Sequence, residues 1–195
     1  MKFEYAPGAT PIDLDAAVGL IPAHLTLQRE LNEYEEANIV EATEWVFSRR
    51  RGDPLHERFI HVVHGRMFNQ TWKWAGKARR SDKNIGGPWF EIPVRLSQVL
   101  GDVRAQIECQ AYSLVEIAAR YHHRLVAIHI FPNGNGRHAR LMADLLLKEL
   151  AGQRFEWGRE SLATGSELRA RYIGALQAAD AGDCQPLLAF LGHAV

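Results

Sequence analysis

The chain is organised around residues 129–140, HIFPNGNGRHAR. Apolar residues at helical spacing precede this stretch, and residues 140–147 are apolar almost all round, as expected for a buried central helix. Pro132, Gly134 and Gly136 lie between the two patterns, and a continuous helix disfavours these residues. The sequence therefore predicts a helix, a tight loop and the start of a second helix in the middle of the core.

The predicted loop has the features of an anion site. The first N–H groups of a helix lack partners within it, and the helix dipole adds partial positive charge there. Gly134 and Gly136 let the backbone approach a phosphate, and Arg137 and Arg140 add forked cations. As a neutral imidazole, His129 could take a proton from an attacking hydroxyl. A glycine-rich helix cap with a buried histidine is the simpler interpretation, but the convergence of these residue types favours a functional site.

These residues resemble the motif of the Fic family, HxFx(D/E)GNGRxxR. The matching positions are His129, Phe131, Gly134, Asn135, Gly136, Arg137 and Arg140. Asn133 departs from the motif, because the family usually has Asp or Glu there. The resemblance covers residues 55–150 well and implies a mostly helical, Fic-type bundle with a small β-hairpin flap. The layout is also similar to the Fic subgroup called mobile mystery protein B.

The composition is that of an ordinary globular chain. It has 195 residues, a hydrophobic fraction of 47% and a formal net charge of zero. This balance predicts no direct nucleic-acid binding and no membrane binding. Two cysteines form no disulfide framework, so we expect a reducing, cytoplasmic location. We expect one compact unit, in which residues 1–54 form an N-terminal lead and candidate inhibitory helix packed on a Fic domain at 55–195.

Apolar periodicity and helix-breaking residues predict most of the helices. The predicted ranges are 26–49, 55–68, 94–109, 113–129, the helix after the motif that ends at Gly152, a helix from 166 and a short one at 186–191. In the first of these helices, the spacing places Leu31, Tyr34 and Ala42 on one face.

The first long helix carries a possible regulatory motif. Many Fic proteins have an inhibitory helix with the pattern (S/T)xxxE(G/N), and Thr26 and Glu30 match its first five positions. The resemblance implies that Glu30 pairs with Arg137 or Arg140 and keeps that arginine from the γ-phosphate of ATP. The alternative is a solvated glutamate near a helix N-terminus, where an acid is favoured anyway.

Residues 71–80 resemble the WAGxxR stretch that precedes the flap of Fic domains. In residues 84–93, turn residues stand beside β-prone residues, as in a short hairpin. In the family, this flap aligns a segment of the target protein by main-chain pairing. The implied target-docking residues are Gly87, Trp89, Phe90 and Ile92. The alternative is a surface hairpin with no docking role.

The Fic resemblance implies a protein adenylyltransferase, which transfers AMP from ATP to a Ser, Thr or Tyr hydroxyl of a target protein. Self-modification would be one form of that reaction. ATP would place its phosphates on the Gly134–Arg137 loop, with Asn135 on an α-phosphate oxygen and Arg137 and Arg140 on the β- and γ-phosphates. His129 would be the base that deprotonates the target hydroxyl.

The departure at Asn133 leaves other interpretations open. Mg²⁺ would bridge the phosphate oxygens, and Asn133 would offer it a neutral carbonyl oxygen where the family has a carboxylate. One alternative is therefore a Fic-type transferase that uses another phosphate-containing donor. The other is a nucleotide-binding or partner-binding module without turnover.

Overall fold

The computed structural model describes residues 19–22, 28–48, 52–157 and 167–192. These residues form seven α-helices: α1 (Gln28–Ser48), α2 (Glu57–Phe68), α3 (Ile92–Glu108), α4 (Leu114–Ile128), α5 (Asn135–Ala151), α6 (Glu167–Asp180) and α7 (Gln185–Leu191). The mostly helical fold class is confirmed, and the helix ends lie close to the predicted ones. Thr26 lies outside the described residues.

Helices α4 and α5 form the centre of the core and pack extensively on each other. The Ser113 hydroxyl caps α4 by accepting from the Glu116 N–H, and Gly152 ends α5 in a left-handed conformation. The buried residues of α5 are spread around its circumference, as the apolar sequence predicted: Asn135, His138, Ala139, Leu141, Met142, Ala143, Leu145, Leu146 and Leu147. Because α5 is enclosed, the loop at its N-terminus is held by several elements.

Helix α1 packs along α2 and also reaches α5. Its buried face is formed by Leu31, Glu35, Asn38, Ala42 and Val46. The predicted face was wrong at one position, because Tyr34 is 38% exposed whereas Glu35 is only 3% exposed. A carboxylate therefore lies on the side of α1 that faces the core.

The predicted β-hairpin is not formed in the described part of the chain. Residues 81–87 are mostly bends, and Trp89–Glu91 form a 3-10 turn that leads directly into α3. The β pairing within the described ranges is an isolated bridge between Leu20 and Trp72. Pro88 explains part of the difference, since it has no N–H to donate to a strand partner.

A search of the described ranges for a membrane-spanning helix finds none that is long and apolar enough.

Candidate active site

The loop between α4 and α5 depends on two left-handed backbone conformations. His129 ends α4 with φ 55° and ψ 62°, and Gly134 precedes α5 with φ 77°. A Cβ at Gly134 would lie only 2.5 Å from the Phe68 ring, so glycine is required there for space as well as for conformation. At Gly136, a Cβ would meet no neighbouring atom within 4 Å, so the backbone of the first turn of α5 faces open space.

Asn135 braces this loop from inside. Its Oδ1 accepts from the Phe131 N–H at 2.9 Å, and its Nδ2 donates to the Phe131 carbonyl at 2.8 Å. The side chain is 5% exposed. Its amide is therefore engaged by the backbone of the loop, so it contributes to an anion site by fixing the loop around the N-terminus of α5.

Asn133 is also held within the loop. Its Oδ1 accepts from the Gly134 N–H at 2.6 Å, and its backbone carbonyl lies 3.1 Å from Nε2 of His64. His64 stacks on Phe131 with 3.6 Å between ring centroids, and its Nδ1 accepts from the Gly76 N–H. Because Nδ1 accepts, Nε2 carries the proton and donates to Asn133. Burial holds the pKa of His64 well below its usual value, so this tautomer persists.

His129 is a buried, neutral imidazole. The residue is 5% exposed, and both of its ring nitrogens are buried without a hydrogen-bond partner in the described structure. Burial, together with the positive charges of Arg79 and Lys83, lowers the pKa of His129 to about 4, and the Val126 carbonyl opposes this shift. That carbonyl is near the ring, but no bond of ordinary geometry forms. A neutral imidazole with a nitrogen to spare has the form that a general base needs.

Arg79 ties His129 to the segment that packs against it. The Arg79 Nε donates to the His129 carbonyl at 2.7 Å, and its Nη groups donate to the carbonyls of Ser81 and Gly87 at 2.9 and 2.5 Å. Gly86, with φ 88°, packs closely against His129, since a Cβ there would be 2.7 Å from the His129 Cβ. One buried guanidinium therefore fixes both the base and the segment packed against it.

The two arginines of the motif have different partners. Arg137 Nη1 lies 2.6 Å from Glu35 Oε2, and the other oxygen of Glu35 accepts from the Trp72 indole at 2.6 Å. The Arg137 guanidinium also lies over the Phe68 ring, 5.0 Å from its centroid. The sequence predicted that Glu30 of α1 pairs with Arg137 or Arg140. In the structure, the carboxylate that pairs with Arg137 is that of Glu35, five positions further along α1.

Arg140 faces the C-terminal part of the chain. Its guanidinium lies 6.0 Å from the centroid of the Trp157 ring and 5.9 Å from that of Tyr172, and the nearby Tyr172 hydroxyl opposes the lowering of the Arg140 pKa by burial. The Tyr172 hydroxyl also lies 2.9 Å from His122 Nε2. Asp144 accepts from the Trp157 indole, and burial raises the pKa of this carboxyl to about 6. Arg140 is thus held by aromatic side chains within a polar cluster.

The four predicted docking residues do not share one environment. Trp89 and Phe90 are 42% and 64% exposed, with their rings edge to face. Ile92 is buried and begins α3, so it belongs to the core. The Gly87 carbonyl is occupied by Arg79.

Sequence reasoning missed three residues that the structure places beside the motif: Glu35, Arg79 and Tyr172. A charged residue in helical phase with Leu31 and Ala42 was the available signal for Glu35. Arg79 was visible as the arginine of the WAGxxR stretch. Tyr172 gave no such signal, because its contact with Arg140 depends on how the C-terminal helices pack.

The fold and the site together define a helical protein in which a buried histidine lies beside a glycine-rich helix N-terminus. Residues 54–147 match the family model described as Fic/DOC family. The match covers just under half of the chain, and we call residues 54–147 the Fic domain.

The Fic domain is similar to known proteins in both sequence and structure. Over 119 residues, the chain is 31% identical to the protein adenylyltransferase Fic of Aedes aegypti, covering 60% of this chain and 22% of the relative. The chain thus spans about a fifth of the length of that curated relative. The BepC protein of Bartonella tribocorum, solved with bound AMPPNP, has a similar fold, with 18% identity, a TM-score of 0.68 and coverage of 92% of this chain and 96% of that one. Fic-1 of C. elegans is 24% identical, with a TM-score of 0.65 and coverage of 90% and 51%.

Proposed function

We propose that the chain is a protein adenylyltransferase, which transfers AMP from ATP to a Ser, Thr or Tyr hydroxyl of a protein, including its own. The observation that carries the proposal is the neutral imidazole of His129 beside a glycine-rich helix N-terminus that carries Arg137. The curated relatives with that name support it. The narrower likeness to mobile mystery protein B stays a prediction.

The reaction divides between the base and the phosphate loop. His129 takes the proton of the target hydroxyl, whose oxygen forms a bond to the α-phosphorus while the bond to pyrophosphate breaks. The free N–H groups at the start of α5 stabilise the charge on the phosphates, together with Arg137 and Arg140. Asn135 fixes the loop through its two bonds to Phe131, and its amide nitrogen keeps a second N–H that could donate to an α-phosphate oxygen.

Autoinhibition by α1 is part of the same proposal, with Glu35 as the inhibitory residue. The carboxylate is 3% exposed, and it occupies a guanidinium that the β- or γ-phosphate needs. A carboxylate and a phosphate compete for the same forked donors of an arginine, so the pair weakens productive ATP binding. The pair also constrains α1, because Trp72 holds the second oxygen of Glu35.

Mg²⁺ has little support from the protein alone. Within the described ranges, no three His, Cys, Asp or Glu side chains are grouped so that they could hold a metal ion. Asn133 offers a single neutral oxygen, which already accepts from the Gly134 N–H. The residues present do not form a metal site by themselves, so no step of the mechanism is assigned to a metal.

Asn133→Asp tests the metal directly. An aspartate could keep the bond to the Gly134 N–H with one oxygen and offer the other, with its charge, to Mg²⁺. We expect the Mg²⁺ concentration that gives half-maximal ATP binding to fall about fivefold, because a charged oxygen replaces a neutral one. Titration of ATP binding with Mg²⁺ measures this. An unchanged midpoint would show that position 133 does not face the metal.

Labelled ATP separates the candidate activities. We expect label from α-labelled ATP, and none from γ-labelled ATP, to enter the protein or an added protein mixture. Incorporation of the γ-label would overturn the proposal in favour of phosphate transfer. Nucleotide binding with no incorporation from either label would favour a binding module instead.

A second candidate function is a Fic-type transferase with another phosphate-containing donor. The neutral Asn133 favours it, because a carboxylate for Mg²⁺·ATP is missing at that position. Competition of unlabelled nucleotides against α-labelled ATP tests this alternative, and a donor that displaces ATP at a much lower concentration would favour it.

The cytoplasm remains the proposed location. Both cysteines are free thiols, which suits a reducing compartment.

A further inference from the structure

A cavity of about 840 Å³ opens between residues 77–83 and the 3-10 turn at Trp89–Glu91. Ligand sites in proteins commonly have this size. One side of the cavity carries Lys77, Arg80 and Lys83, and another carries Trp89 and Phe90. We call this cavity the cationic groove.

The charge of the groove is one-sided. Four of its lining residues are lysine or arginine and, among these lining residues, all of which lie in the described ranges, none is a carboxylate. The nearest acid in the segment, Asp82, accepts from the Trp89 N–H and lies 3.7 Å from Arg79. Because the formal net charge of the whole chain is zero, this excess is local and marks one surface.

The groove also carries two exposed aromatic rings. Phe90 is 64% exposed and Trp89 is 42% exposed, and their rings pack edge to face with 6.2 Å between centroids. Exposed aromatic rings next to arginine are typical of the centre of a protein–protein interface. A phosphate group would contact only the cationic side chains and not the two aromatic rings. A peptide with acidic and apolar side chains would contact both the cationic and the aromatic side of the groove.

The groove adjoins the candidate base. Pro132 of the motif loop lines it, and so does Arg79, whose Nε donates to the His129 carbonyl. A peptide in the groove would therefore lie against the residues that hold His129 in place. The phosphates have a separate place at the N-terminus of α5, where Arg137 and the free N–H groups are.

We propose that the cationic groove binds an acidic segment of the target protein, which lies beside the hydroxyl that is modified, with an apolar side chain against Trp89 and Phe90. This inference rests on the proposed function and adds to it the chemical class of the target. Selection would follow charge and one apolar contact, rather than a defined sequence.

Binding of two labelled peptides tests the inference without any transfer reaction. Both peptides have the same length and carry a central Thr and Phe; one is flanked by Asp and Glu, the other by Lys. We expect the full chain to bind the acidic peptide at least about tenfold more tightly, with an affinity that falls as salt is added, because exposed charges are screened. Equal affinity for the two peptides would overturn the proposal.

Arg80→Glu and Arg58→Glu form a matched pair, since both arginines are exposed and the charge change is the same. Arg80 lines the groove and Arg58 lies on α2. We expect Arg80→Glu to weaken binding of the acidic peptide about tenfold through lost attraction and new repulsion, and Arg58→Glu to leave it within about twofold. Equal weakening by both variants would overturn the proposal, because only bulk charge would then matter.

Three further measurements separate the possible occupants. Phe90→Ala should weaken the acidic peptide severalfold, and an unchanged affinity would overturn the apolar contact. A loss of ATP affinity in Arg80→Glu would instead assign the groove to the nucleotide. An oligonucleotide of the same net charge that displaces the acidic peptide at equal concentration would assign it to nucleic acid.

If the acidic peptide binds as expected but no label from ATP enters any protein, the proposed function fails and the groove assignment stands.

Discussion

Arg137 and Arg140 lie about one helical turn apart on α5, yet opposite ends of the chain hold them by different chemistry. Arg137 forms an ion pair with Glu35 of α1, before the Fic domain. Arg140 lies against Trp157 and Tyr172, after the motif helix. The N-terminal contact is ionic, and the C-terminal contact combines aromatic rings with a hydroxyl.

The difference matters because a phosphate competes with only one of these contacts. A carboxylate offers the same planar pair of oxygens that a phosphate offers, so binding of ATP to Arg137 has to displace Glu35. Aromatic rings and a phenol leave other guanidinium donors of Arg140 available, and they restrict its orientation. Under the proposed function, the N-terminal contact would regulate ATP binding, and the C-terminal contact would position an arginine for it.

His129→Ala has the largest expected effect, and it separates the chemistry from both arginines. Removal of the base should lower incorporation from α-labelled ATP by about a hundredfold or more. ATP affinity should stay nearly unchanged, because Arg137 and Arg140 remain. His123→Ala is the matched control, since His123 pairs with Asp180 away from the loop. Transfer at the wild-type rate in His129→Ala would exclude His129 as the base.

Glu35→Gln breaks the N-terminal contact without removing the side chain. It should raise self-modification about tenfold, because the neutral amide competes poorly with phosphate for Arg137. Glu36→Gln, an exposed neighbour on the same helix, is the control and should have no effect. Glu30→Gln tests the motif hypothesis in the same assay. A gain in Glu30→Gln alone would assign inhibition to Glu30, and no gain in any of the three would remove α1 from the regulation.

Tyr172→Phe weakens the C-terminal contact by one hydroxyl. We expect ATP affinity to fall about fivefold while AMP affinity is kept, because Arg140 is proposed to bind the outer phosphates and would lose a polar neighbour that orients it. Tyr112→Phe is the control, because the Tyr112 ring packs against Arg120 and not against Arg140. A purely structural role of Tyr172 would instead lower the affinities for ATP and AMP equally.

The smallest effect is expected on the pH dependence of the transfer rate, which should not change when the Arg137 contact or the Arg140 contact is weakened. The pKa of His129 is lowered to about 4 by burial and by Arg79 and Lys83, and neither Arg137 nor Arg140 is among these causes. The base thus stays neutral above that pKa, and the rate should show no inflection near the ordinary histidine value of about 6.5. Wild type, Glu35→Gln and Tyr172→Phe should give the same flat profile between about pH 8 and about pH 5.5. An inflection that appears in one variant would link that contact to the base.

Stability should depend on pH for a related reason. Burial lowers the pKa of His122 and of His138 to about 3, below the value in the unfolded chain. Below about pH 6.5 the unfolded state therefore binds more protons, so the free energy of unfolding should fall as the pH decreases toward the folded-state pKa values.

Much of the fold could be predicted from the sequence, because helical periodicity is a local signal. The loop at His129 was also visible, since Gly134 and the arginines stand close together along the chain. Glu35 was not, because its partners Trp72 and Arg137 lie 37 and 102 residues away. Tyr34 matched the apolar face better than Glu35 did. In the structure, however, Glu35 is the residue that faces the core, and Tyr34 is exposed. The prediction of a β-hairpin at residues 84–93 was wrong for another reason. The buried Arg79 donates to the Gly87 carbonyl, so this carbonyl is not available to a strand partner, and the β propensity of the neighbouring residues does not decide the conformation.

The burial of His129 has a consequence for the fate of the nucleotide. Each ring nitrogen of His129 exposes less than 1 Å² to solvent, so water gains little access to the base. A base that cannot activate water does not promote hydrolysis of a bound ATP. Because both nitrogens are buried, the hydroxyl of a protein target would reach the imidazole only after the residues around it move. If the chain is the transferase proposed above, this burial would limit the hydrolysis of ATP when no target protein is bound.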